Sequence, residues 1–333
     1  MTKEKIKVLV GLLVSFGLVA WIYTICDWAK VWADLQTVHY WYFIPVTALV
    51  FVQFYFRTLR WRFLLPRVDT LRLRDLFDAI MLGNLATYIL PLRAGEFVRP
   101  FVLVKRCNLN FSRGFVSVVI ERFFDLAMVL FTFALIMSKM SNLPAWVEKG
   151  AIALSVLASG IFCFIVASVF LPNLIKKVID YFLQFVPPKL GNAVRGITND
   201  MIAGSSELRS LSNLTIVISL TMLIWLITYL QFQLCLMIFD EPSSFIFAVA
   251  ISVFVALGVA APSVPGFLGV FQAACLGAFI AFGRSNEQAA VYGLLVHLHQ
   301  YIFVIIMGVW SMLRFGLNFS DLKRGKTLAS EVA

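Results

Sequence analysis

The sequence predicts an all-α, polytopic membrane protein with about six full transmembrane helices plus two broken, re-entrant helical hairpins entering from opposite sides. Three observations carry that expectation. Hydrophobic residues make up 61% of the 333-residue chain and charged residues only 14%, a composition of bilayer-embedded chains rather than soluble domains. Apolar runs of about 18 residues or more, long enough to cross a hydrocarbon core, recur along the whole sequence. Two further apolar stretches, about 76–104 and 245–282, are interrupted by Pro and Gly instead of ending in polar loops, the pattern of discontinuous membrane helices.

Residues 1–333 are read as a single integral membrane domain. Full spans are expected at roughly 7–25, 40–56, 115–138, 151–171, 214–238 and 289–313. The first follows Lys3, Lys5 and Lys7. It exceeds the apolar core of a signal peptide and no small-x-small site follows, so it is expected to be retained. The second opens through His39-Tyr-Trp-Tyr, an aromatic belt. Between the fourth and fifth spans, Leu190, Val194, Ile197 and Met201 recur at helical spacing. The connection 172–212 is therefore expected to be a cytoplasmic amphipathic helix.

Basic residues orient the spans. They cluster at the N-terminus, after the second span (Arg57, Arg60, Arg62, Arg67, Arg72, Arg74), in the 172–212 connection (Lys176, Lys177, Lys189, Arg195, Arg209) and in the C-terminal tail (Arg314, Lys323, Arg324, Lys326). All four regions are expected on the cytoplasmic side, both termini included. The net charge of +10 is thus topological, and no nucleic acid partner is expected. Parity then requires 76–104 to leave on the side where it enters, and likewise 245–282 on the outer side. For the second stretch, a hairpin or two tilted helices both satisfy the count.

The five cysteines, Cys26, Cys107, Cys163, Cys235 and Cys275, form no CxxC pair. They read as small packing residues rather than a disulfide framework or zinc site. There is no Walker A, HExxH or GxSxG motif and no loop large enough for a nucleotide-sugar or tRNA. An ATP-driven pump and an autonomous glycosyltransferase are disfavoured. No enzyme activity, cofactor or metal is expected.

The chemistry concentrates in Asn84–Arg99, NLATYILPLRAGEFVR. A charge at the bilayer centre costs about 2.5–3.5 kcal/mol, so Arg93, Glu96 and Arg99 need partners. Pro91 and Gly95 break the helix. The freed N–H groups of the following half-helix, with Pro100 in its first turn, can point at an anion. Arg93 and Arg99 add a fork that matches phosphate. Glu96 lies three residues from both and can pair with either, and Asn84 can hydrogen-bond across the hairpin. The third span reads SVVIERFFDL. Glu121 and Asp125 lie one turn apart with Arg122 between them, a polar stripe that can neutralise Arg93 or Arg99. The second break, with Pro262, Pro265, Gly266 and Gly269, is neutral and resembles a hinge or gate. Its only polar side chains are Ser263 and Gln272. In the last span, His297 and Tyr301 share a face, as a hydrogen-bonded pair would.

LPLRAGEFVRPFVLVKR followed by VVIERFFDL resembles the first signature of the lysylphosphatidylglycerol synthase transmembrane-region family, the flippase-like membrane proteins. PSVPGFLGVFQAA looks like its second. Phe267 and Gln272 stand where that second signature has a Gly and an acidic residue. The resemblance covers nearly the whole chain and includes no aminoacyl-transferase domain. It implies roles for Pro91, Arg93, Gly95, Glu96, Arg99, Glu121, Arg122 and Asp125. It also implies a protein of the bacterial cytoplasmic (inner) membrane that moves a lipid with an anionic or modified headgroup. The alternative is a membrane enzyme, or an accessory subunit partnering lipid-biosynthesis enzymes, acting on a lipid or glycolipid carrier.

Overall fold

The computed structural model describes residues 3–65, 71–90, 95–107, 111–137, 210–239, 243–260 and 264–318, with 171–184 and scattered positions between 156 and 199. The helices are α1 (Lys3–Ile25), α2 (Trp28–Thr37), α3 (Phe43–Leu64), α4 (Leu73–Ile89), α5 (Gly95–Cys107), α6 (Phe111–Met137), α7 (Pro172–Leu183), α8 (Leu211–Leu236), α9 (Phe245–Gly258), α10 (Val270–Ala281) and α11 (Asn286–Phe315). Short 3-10 turns stand at Tyr40–Tyr42 and Pro265–Phe267. Among the described residues there is no strand.

Among the described residues three helices are long and apolar enough to cross a membrane, Tyr40–Leu64, Leu211–Leu236 and Asn286–Phe315, and the bent pair Val10–Ile25 with Trp28–Thr37 makes a fourth if it is one span. At 27 residues, α6 has the length too, about 40 Å at 1.5 Å per residue, but carries Glu121, Arg122 and Asp125 in its middle. Most of the span expected at 151–171 lies outside the described residues.

The expected boundaries shift in three places. The second span does not end at Phe56, because α3 runs on to Leu64 and takes Arg57 and Arg60 into the helix. The stretch 27–37 is a helix rather than an outer loop. The Asp27 side chain accepts hydrogen bonds from the N–H groups of Ala29 (3.0 Å) and Lys30 (3.4 Å), a side-chain N-cap. α2 leaves α1 at 89°, with Val31 buried and Trp28 and Trp32 exposed. In the 172–212 connection the continuous helix is α7, while Leu190, Ile197 and Met201 lie outside the described residues. Of the cysteines, Cys26, Cys235 and Cys275 are buried as expected for packing, whereas Cys163 is exposed.

Contacts between helices set the topology. α3 and α8 are antiparallel: the His39 N–H donates to the Ile238 carbonyl (2.9 Å), Gln53 to Thr228 (2.5 Å) and Arg60 to Thr221 (3.1 Å). The bundle therefore has one end at the C-terminus of α3 and another at the C-terminus of α8. α4 leaves the first end and packs along α11, from Asp78 beside Ser311 to Leu85 against Gly308. α5 folds back onto α4, Gly95 and Arg99 both packing on Gly83. α6 then begins at the same end, where the Trp61 indole donates to Ser117 (2.9 Å).

The second stretch repeats this from the other end. α9 and α10 are antiparallel, Gly258 against Ala274 near the tip and Phe247 against Phe279 (4.9 Å) and Phe282 (5.1 Å) at the open end. Of the two arrangements the sequence allowed, this is the hairpin. With 14 and 12 residues, α9 and α10 reach only about 21 and 18 Å, short of the ~30 Å hydrocarbon core. The tips of the two hairpins meet inside the bundle, where the Tyr88 ring stands edge-on to Phe267 (6.0 Å, 89°).

Candidate functional site

Pro91 and Arg93, with Pro262 and Ser263, lie outside the described residues. The remaining predicted polar residues converge where the first hairpin packs on α6.

Glu121 is the centre, 1% exposed. Arg99 forks onto it, Nη1 to Oε1 at 3.0 Å and Nη2 to Oε2 at 2.9 Å. Arg122 donates to Oε1 at 2.6 Å. One turn on, Asp125 receives a second fork from Arg60, at 2.7 and 3.1 Å. Arg60 also lies 3.5 Å from Glu121. The Trp225 indole donates to Asp125 at 3.3 Å and Thr221 accepts from Arg60 at 3.1 Å. The Arg99 guanidinium lies 4.2 Å over the Trp61 ring, a cation–π contact that holds the fork flat. Charges removed from water this thoroughly persist only when paired and hydrogen-bonded.

Local sequence explains the convergence. Gln53, Arg57, Arg60 and Leu64 fall at i, i+4, i+7 and i+11 on α3, one helical face. On α6, Glu121 and Asp125 do the same. Gly95 lets α5 cross α4 at backbone distance, because a Cβ there would overlap the Gly83 carbonyl and Thr87. Its role is close packing as well as helix breaking.

Between the hairpin tips and this network lies a cavity of about 180 Å³, lined by Arg57, Asn84, Thr87, Tyr88, Gly95, Glu96, Arg99, Glu121, Arg122, Val259 and Phe267 among others. The first turn of α5, whose N–H groups have no acceptor within the helix itself, forms part of the wall. A second cavity of about 190 Å³ adjoins it, with Arg57, Asn84 and Tyr88 lining both.

Several expectations change. Among the described residues, the Asn84 Nδ2 donates to the Ile80 carbonyl one turn back (2.8 Å), an acceptor always within reach in a helix. Of the partners the sequence offered Arg99, the structure pairs it with Glu121, and Glu96 lines the cavity. Asp125 takes Arg60 rather than Arg99. Pro100 lies inside α5 rather than in its first turn, since the helix starts at Gly95. Reasoning from sequence missed Arg57, Arg60, Trp61, Thr221 and Trp225. The shared helical face of Gln53, Arg57 and Arg60 was the available signal for α3.

At the second tip, Gly266 and Gly269 have φ of 74° and 82°, backbone that only glycine adopts freely. Phe267 also has positive φ, 62°, at a position where the resembling signature has glycine; such a conformation costs a non-glycine residue about 1–2 kcal/mol. Gln272 accepts from the Gly269 N–H (2.9 Å) and pairs with His297 Nδ1 (3.0 Å). His297 and Tyr301 meet edge-to-face at 5.5 Å and are not bonded to each other; Tyr301 donates to the Tyr88 carbonyl (3.3 Å). Gly266 is pressed against the Tyr301 ring, so the hairpin tips are joined through α11. Among the described residues no three His, Cys, Asp or Glu side chains converge as a metal would require.

No curated protein and no solved structure matches the chain. A family model described as "Lysylphosphatidylglycerol synthase TM region" matches residues 8–308, which takes in both hairpins and every residue of the ion network. The chain is therefore a membrane protein belonging to the lysylphosphatidylglycerol synthase TM-region family.

Proposed function

We propose that this protein moves a lipid with an anionic headgroup across the bacterial cytoplasmic membrane, without ATP, acting as a transporter rather than an enzyme. The observation that carries this reading is the cavity at the meeting point of two opposed hairpins, walled by Arg57, Arg99, Arg122 and the first turn of α5. Guanidinium forks and free helix N–H groups are both anion ligands.

The charge balance supports the same reading. Arg57, Arg60, Arg99 and Arg122 outnumber Glu96, Glu121 and Asp125 four to three. Among the described residues no carboxylate forms a salt bridge with Arg57, and its Nε is buried without a hydrogen bond. A phosphate entering the cavity supplies the missing negative charge. Glu121 holds Arg99 and Arg122 in place when the cavity is empty. An apolar groove of about 580 Å³, lined by Phe124, Met128, Phe131, Ile218 and Met222, reaches Thr221, the residue that accepts from Arg60. It offers acyl chains a surface beside the charged site. Partner enzymes of lipid synthesis would supply or consume such a lipid.

The test is reconstitution into liposomes with labelled lipids, wild type against Arg57→Ala, which removes a cavity-lining guanidinium without breaking the Arg99–Glu121 fork. Removing a charged hydrogen-bond donor costs about 1.5–3 kcal/mol of anion binding, so headgroup movement is expected to fall on the order of tenfold or more with folded yield retained. Unchanged movement in the variant overturns the assignment.

A further inference from the structure

The second cavity differs from the first in one respect: among the described residues, its lining is uncharged apart from Arg57. Gln53, Thr228, Gln231, Ser252 and Gln300 give it amide and hydroxyl groups, and no carboxylate among the described residues lines it. Gln231 is 6% exposed and its Nε2 has no hydrogen-bond partner. A buried amide donor left unpaired is costly, and this one belongs to a residue that lines the cavity. Ser252, 2% exposed, donates to the Val249 carbonyl (2.7 Å), which leaves its oxygen able to accept. Gln53 donates to Thr228, which leaves its own carbonyl oxygen as an acceptor. Donors and acceptors together suit hydroxyl groups, which are both. An ammonium group would meet Arg57 and no carboxylate. At roughly 30 Å³ per water, the space of about 190 Å³ matches some six waters, the scale of a glycerol or part of a sugar ring.

We propose that this neutral cavity selects the headgroup: it holds the uncharged, hydroxyl-bearing part of a phosphodiester lipid, while Arg57, which lines both cavities, takes the phosphate between them. The inference rests on the reading of the arginine cavity as an anionic-lipid site and narrows it to glycerol- or sugar-phosphate lipids. Lipids that end in an amine are rejected, and so are those that end at the phosphate. A site built to hydrogen-bond hydroxyls discriminates strongly against analogues that lack them.

The experiment is native mass spectrometry of the full chain, equilibrated with equimolar phosphatidylglycerol, phosphatidylinositol, phosphatidylethanolamine and phosphatidic acid. Phosphatidylglycerol or phosphatidylinositol is expected to be retained about tenfold over the other two, the effect of one or two hydrogen bonds. Whichever of the pair dominates identifies glycerol or sugar as the preferred group. Gln231→Leu, nearly isosteric, is expected to bring the favoured lipid to the level of phosphatidic acid. Gln300→Leu on a different helix gives the same reading should the first variant fold poorly. Equal retention of phosphatidylethanolamine, or of phosphatidic acid, by the wild type overturns the proposal. So does an unchanged ratio in a folded variant. Retention of no phospholipid overturns both this proposal and the lipid-site reading. Selective retention without movement in liposomes overturns transport alone and leaves the selection standing.

Discussion

The first hairpin, α4–α5, is fastened by charge. Arg99 is forked onto Glu121, which also holds Arg122 and lies beside Arg60. Far from the tip, Asp78 accepts from Ser311 (2.9 Å) and pairs with Arg314 (2.9 Å) on α11. The second hairpin, α9–α10, has no charged residue in either helix. It is fastened by contact: Gly258 on Ala274, Gly269 on the Ser15 carbonyl, Gly266 on the Tyr301 ring. Both are antiparallel pairs that turn back inside the bundle. The difference teaches that the reversal of the chain is a geometric requirement met by two unrelated chemistries. Only the charged one leaves guanidinium groups facing a cavity.

The comparison breaks first at Glu121. Glu121→Ala strands the Arg99 fork, while Arg60 and Arg122 keep Asp125, and stranding a buried partner costs about 3–5 kcal/mol. The expected result is near-complete loss of folded protein, read as monodisperse yield and thermal midpoint in detergent. A loss below about 1 kcal/mol would mean that charge does not hold the first hairpin. The second hairpin is expected to break on a single methyl group. Gly269→Ala adds a Cβ 2.6 Å from the Ser15 carbonyl at a φ of 82°, a strain of about 1–3 kcal/mol. Gly283→Ala, at φ 65° with nothing within 4 Å, is the control that separates backbone strain from collision. Equal shifts in the two variants would remove the contact with α1 from the account. The smallest effect expected is from Gln272→Leu, which takes the side-chain acceptor from the Gly269 N–H and the partner from His297, about 1 kcal/mol in thermal midpoint.

What the sequence disclosed and what it withheld follow from how each residue type signals. Glu121 and Asp125 were legible because carboxylates one turn apart in an apolar run have no other reason to be there. Arg99 was legible because Pro and Gly surround it. Arg57 and Arg60 were hidden by the rule that orients spans. A cluster of arginines after an apolar run is counted as a cytoplasmic loop, and hydropathy falls at Phe56 whether the helix ends or its buried face turns polar. Thr221, Trp225 and Gln231 gave no signal, since a neutral polar residue in an apolar span is ordinarily packing. The hairpin form of 245–282 was one of two arrangements compatible with charge parity. The Phe247–Phe279 and Gly258–Ala274 contacts decided between them, and such pairings are not written in one helix's own pattern.

The ion network also has an order in time. The chain emerges from its N-terminus, so α3 delivers Arg57 and Arg60 before α5 brings Arg99, and α6 follows with Glu121, Arg122 and Asp125. Three charges at about 2.5–3.5 kcal/mol each make α6 a poor candidate for membrane insertion by itself. It becomes acceptable to the bilayer when basic side chains already wait beside it. Insertion of α6 is thus expected to depend on the helices that precede it rather than to proceed independently. On that expectation the Arg60–Asp125 fork is the contact that would retain α6 beside α3.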